Sequence, residues 1–95
     1  MTQPLDVSAF DAAALAQGYE QVLDRVWAPL TVVETHTHPF AAKAIVTQGE
    51  MWLTVGDETR HLLPGDGFEL AREVPHSERY GLEGATYRVA RRAGS

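Results

Sequence analysis

A chain of 95 residues with 44% hydrophobic content can bury one core and not two, so a single domain over residues 1–95 is expected. Eight basic against thirteen acidic residues leave a formal charge of -5, which opposes phosphate backbones and anionic lipid; neither nucleic acid nor a membrane is an expected partner. The lack of cysteine removes disulfides, thiolate metal sites and cysteine nucleophiles together.

Met1 to Phe10 has neither the basic nor the apolar stretch of a secretory leader. No apolar run approaches the roughly 18 residues of a membrane span, so a soluble cytoplasmic protein is expected. Ser8-Ala9-Phe10-Asp11 has the form of a capping box, and the alanine-rich stretch behind it ends at Gly18, which predicts one short helix. The vocabulary then changes to short runs of Val, Leu, Thr and aromatics. Strands are predicted at Tyr19 to Trp27, Leu30 to His38, Ala41 to Thr47, Met51 to Val55, Thr59 to Leu62, Gly67 to Leu70, His76 to Tyr80 and Ala85 to Arg91. Turns are predicted at Gly56-Asp57-Glu58, at Pro64-Gly65-Asp66-Gly67 and from Gly81 to Gly84. Arg88, Arg91 and Arg92 read as a solvated strand end, with an anion or partner contact as the other role. So many short strands in a small chain must close into a barrel or jelly roll to cover their edges. A second copy of the chain would add burial, which makes a homodimer the default assembly.

Within this all-β pattern His36-Thr37-His38 is the feature that carries chemistry. Alternate strand residues face one way, so the two imidazoles would stand about 6.6 to 7 Å apart along one face, close enough to share a metal ion. His76 follows a Pro-Gly-Asp turn and a proline, and it closes a set of three. His36, His38 and Gly49, followed by Gly65, Asp66, Pro75 and His76, resemble the two motifs of the cupin superfamily, over roughly residues 30–80. The resemblance implies a small double-stranded β-helix (jelly-roll) barrel preceded by a helix and strand at about 8–28. It also implies a divalent transition metal, Zn, Fe, Ni or Mn, on His36, His38 and His76. The glutamate of the first cupin motif falls at Ala42 or Lys43 here, so the fourth ligand is open.

Parity extends the candidate site. Glu34 shares a face with His36 and His38, and Glu78 and Tyr80 share one with His76. An inward carboxylate needs a metal, a cation or a proton, which makes Glu78 a candidate acid or base and Tyr80 a candidate donor to a substrate oxygen. A surface ion pair with Arg79 or Arg72 competes for Glu78, and plain packing competes for Tyr80. Phe40 and Lys43 are further pocket candidates, Lys43 with an outside position as its alternative. His61, outside both motifs, is expected at the surface. Three neutral ligands leave a divalent ion largely uncompensated, so a small anionic or oxygen-rich molecule is the expected partner. Three functions stay open: a metal-dependent enzyme of the oxygenase or isomerase kind, a small-ligand sensor or carrier, and a metal-free barrel.

Overall fold

The computed structural model describes residues 6–93. Helix α1 (Ser8–Ala16) is followed by strands β1 (Gln21–Trp27), β2 (Val32–His36), β3 (Phe40–Val55), β4 (Glu58–Leu62), β5 (Gly67–Leu70) and β6 (His76–Ala93). All pairings are antiparallel. The order is β1-β6-β3-β4, with β2 on the first part of β6 and β5 on the first part of β3. This is a small antiparallel β domain of the expected barrel type with one short helix.

The helix does not start as the capping box predicts. Ser8 is already helical, Val7 is the cap, and the Ser8 N–H donates to Asp6 Oδ1 at 2.9 Å. Asp11 turns away to Arg88, which donates through Nε and a terminal nitrogen at 3.0 and 2.8 Å. The C-terminus follows expectation: Gly18 takes φ +92°, its N–H donates to Leu15 O, and the Tyr19 N–H donates to Ala14 O at 3.1 Å. That is a Schellman closure, and it seats Ala14 against Tyr19 and Ala90 on the outer side of β1 and β6.

The predicted breaks near residue 49 and from Gly81 to Gly84 are not chain reversals. β3 and β6 run through them as single long strands, and the ladder between them slips there: Gly49 pairs with Ala85, but Met51 pairs with Tyr80. Gly49 and Gly84 hold φ +76° and +71°. A Cβ on Gly49 would lie 2.1 Å from Gly84 O, and one on Gly84 would lie 2.2 Å from Trp27 O. Turn-type residues inside a strand pattern thus mark a bulge with close backbone approach. Its effect is to switch face. Ala42, Ala44 and Val46 point inward before it and Met51 and Leu53 after it, while on β6 His76, Glu78 and Tyr80 give way to Ala85, Tyr87 and Val89. The latter half of β6 pairs with β1 and the first part with β2, which brings His76 opposite His36.

The hairpin at Gly56-Asp57 is a two-residue connection between Val55 and Glu58, with Gly56 at φ +60°. The Pro64-Gly65-Asp66 turn is closed by Asp66 Oδ2, which accepts the Leu63 N–H at 2.9 Å. Val46, Met51, Leu62 and Tyr80 are the largest fully buried side chains among the described residues, and all four belong to the main core cluster.

Candidate metal centre

His36 ends β2, His38 lies in the connection just before β3, and His76 begins β6, so three chain segments deliver the imidazoles to one end of the core. The ring centroids are 4.7 Å apart for His36 and His38, 4.3 Å for His36 and His76 and 5.1 Å for His38 and His76. One ring nitrogen of each lies within 4.8 Å of the others. The backbone orients two of the rings: His36 Nδ1 donates to Glu34 O at 2.8 Å and His76 Nδ1 donates to Val74 O at 2.9 Å. Assigning the proton to Nδ1 leaves each Nε2 lone pair directed into the cluster. His36 Nε2 and His38 Nε2 face each other at 3.1 Å. Burial, then the neighbouring His36 and His76, holds His38 below the ordinary imidazole pKa and favours the neutral form a ligand requires. The donor set fits a divalent transition metal, which would be held by His36, His38 and His76.

Glu78 faces this cluster. Its carboxylate is 5% exposed, with Oε2 3.7 Å from His36 Nε2 and 3.6 Å from His76 Nε2. Oε1 accepts a hydrogen bond from the Tyr80 hydroxyl. Arg79 and Arg72 do not pair with Glu78: the Arg79 guanidinium instead covers the Trp52 ring at 4.3 Å. Tyr80 stacks on Trp27 with centroids 5.1 Å apart. Burial, then Tyr87 and Glu78, pushes the Tyr80 phenol far above its ordinary pKa, so it remains a donor. Among the described residues the hydrogen bond this hydroxyl donates goes to Glu78.

The imidazoles and Glu78 line a cavity of about 80 Å³ together with Arg25, Trp27, Phe40, Tyr87 and Arg91. Phe40 stands where the sequence puts it, stacked on His38 at 4.8 Å. Lys43 and Glu34 do not join the site. Lys43 lies on the outer face of β3, where its Nζ donates to Gln17 Oε1 at 3.1 Å. Glu34 is exposed, because a register shift between Val33 and His36 breaks the parity that would have aligned it with the histidines. What Glu34 contributes is its backbone carbonyl. His61 is at the surface, stacked on Trp52 and donating to Glu50 at 2.8 Å.

Arg25 and Arg91 are the charged lining residues that the sequence does not assign to the pocket. Arg25 covers the Trp27 ring and Arg91 the Phe40 ring, each at 4.8 Å. Arg91 Nε is buried with no hydrogen-bond partner among the described residues. The terminal arginines thus divide. Arg88 pairs outward with Asp11 and Asp24, Arg92 donates to Gln17 O at 3.0 Å, and Arg91 turns in. Strand alternation, Leu23-Arg25-Trp27 and Tyr87-Val89-Arg91, was the signal available.

Solved structures share this fold. A chain from the crystal structures of the DMSP lyases RdDddP and RnDddQII matches with TM-score 0.71 and 19% identity over 77% of this chain and 38% of that one. An RmlC-like cupin from Shewanella frigidimarina matches with TM-score 0.67 and 19% identity over 77% and 66% of the two chains. The chain therefore spans less than two thirds of either protein. The cupin domain of an XRE-family transcriptional regulator from Enterobacter cloacae matches with TM-score 0.61 and 17% identity over 80% of this chain and 100% of that one. No curated protein matches in sequence. Residues 23–91 match the AraC-like ligand binding domain, and on that match, with the barrel and its histidine motifs, the chain belongs to the AraC-like ligand binding domain family within the cupin superfamily.

Proposed function

We propose that the domain binds a small anionic molecule at a divalent transition metal held by His36, His38 and His76, with Arg25 and Arg91 as the groups that select negative charge. The observation that carries this reading is the cavity itself. Three convergent imidazoles and two arginines line a cavity of about 80 Å³. A small polar cavity of this kind suits a compact carboxylate or similar oxyanion. A bound ion would supply a Lewis-acidic centre for an anionic oxygen. Among the described residues the buried Arg91 Nε is a donor without an acceptor, and an anion supplies one.

Binding without turnover is the form we favour, because AraC-like ligand binding domains and the cupin domain of an XRE-family regulator are among the proteins this chain resembles. Turnover is the second reading, supported by the likeness to DMSP lyases. The exposed apolar side chains Val26, Leu30, Val32 and Leu82 support a homodimer.

The test is calorimetry of formate, acetate, malonate and oxalate on Zn-loaded and apo protein, beside Arg25→Met and Arg91→Met. Binding confined to the loaded form and weakened about 10-fold or more by either arginine change is expected, since a charge-assisted hydrogen bond contributes about 1.5–3 kcal/mol. Equal affinity in both forms, or arginine variants that bind like the parent, would refute the reading. Chromatography of the incubated carboxylates separates binding from turnover.

A further inference from the structure

Glu78 is the buried acidic residue among the described residues. A carboxylate so enclosed requires a compensating charge or a proton. Among the described residues its ion-pair partners are the imidazoles of His36 and His76 alone, at 3.7 and 3.6 Å. Those separations are too long for hydrogen bonds. They do suit ligand atoms around a common ion, since two atoms held at about 2.0–2.1 Å from one tetrahedral metal lie roughly 3.3–3.4 Å apart.

We propose that Glu78 is a fourth metal ligand, Oε2 joining the three imidazoles, and that Tyr80 is the positioning residue that holds it. This rests on the three-histidine reading above and deepens it. Tyr80 donates to Oε1, which leaves Oε2 turned toward the imidazoles. Tyr80 is 1% exposed and stacked on Trp27, so its hydroxyl is fixed by packing. The positions where the cupin pattern carries its glutamate offer nothing in exchange: Ala42 is a buried alkyl group and Lys43 points outward to Gln17. The carboxylate thus comes from the other histidine strand, two residues beyond His76 on the same face of β6. As a ligand Glu78 lowers the net charge of the loaded site by one, and selection of an anion then falls more heavily on Arg25 and Arg91.

The experiment uses Co(II) as the probe, with affinity from competition against a chromophoric chelator and the ligand field from visible absorption. In the parent protein one Co(II) per chain is expected, with a carboxylate oxygen visible beside imidazoles in X-ray absorption. Glu78→Gln should weaken Co(II) by about 100-fold and shift the visible bands, and Tyr80→Phe should weaken it about 10-fold with the ligand count kept. A Glu78→Gln protein with parental affinity and spectrum overturns ligation by Glu78. Should that variant not fold, Glu78→Asp, which draws the carboxylate back by one methylene, is read by the same two criteria. The His36→Ala, His38→Ala double variant separates the two claims. If it loses Co(II) while Glu78→Gln keeps it, Glu78 ligation alone falls; if it retains Co(II), the three-histidine reading falls and the Glu78 proposal with it.

Discussion

Replacing Gly49 by alanine should be among the most damaging single changes in the domain, although it adds one methyl group. At φ +76° an L-residue carries left-handed strain of about 1–2 kcal/mol. The new Cβ would also stand 2.1 Å from Gly84 O and 2.8 Å from the Ala85 Cα, both backbone atoms of β6 that cannot rotate away. Forcing a methyl group into such a contact costs about a further 1–3 kcal/mol. The sum, about 2–5 kcal/mol, is a large share of a small domain's total stability of about 5–15 kcal/mol. Gly56 supplies the control: it holds φ +60° with nothing within 4 Å of its Cβ, so Gly56→Ala carries the strain without the clash. Urea and thermal unfolding followed by circular dichroism measure both. With about 4–8 °C lost per kcal/mol in a domain of this size, Gly49→Ala should melt roughly 10 °C or more below the parent, and well below Gly56→Ala. Equal destabilisation by the two changes would refute close approach at the bulge as the reason for Gly49.

Other expectations follow from the side-chain placements. Lys43→Ala and Glu34→Ala should leave metal affinity within about twofold, because Lys43 bonds Gln17 and Glu34 serves through its carbonyl; a 10-fold loss in either, read by chelator competition, would contradict that placement. Arg88 holds the Asp11 carboxyl below the ordinary carboxylate range by hydrogen bonding, so this contact stabilises the fold above the unfolded pKa and is lost as pH falls through the folded one. Asp11→Asn should accordingly flatten the acid limb of the stability profile below about pH 4 and leave stability at higher pH lower than the parent's. Parallel profiles in urea titrations at stepped pH would refute the linkage.

The histidine cluster was legible because its histidines come with turn chemistry that can be read locally: Pro39 beyond His38, the Pro64-Gly65-Asp66 turn and Pro75 before His76. Parity then worked wherever the strand was regular. It placed Glu78 and Tyr80 on the His76 face of β6, and it failed for Glu34, where the ladder with β6 slips between Val33 and His36. The long strands β3 and β6 were each read as two because a glycine in a strand and a glycine in a turn look alike in sequence. The difference lies in a partner strand far along the chain: Gly49 is required by Gly84, and Gly84 by Trp27. Arg25 and Arg91 escaped because charged side chains are ordinarily read as solvated. Inside the barrel, Trp27 and Phe40 give the two guanidiniums aromatic faces to lie on.

The most direct test is a crystal structure of protein purified without an affinity tag and loaded with Zn, with data collected on both sides of the Zn absorption edge. One anomalous peak per chain is expected, within about 2.0–2.2 Å of a ring nitrogen of each of His36, His38 and His76. A loaded crystal with no peak among the three rings, or with Zn bound elsewhere, would contradict the metal centre and the anion site built on it.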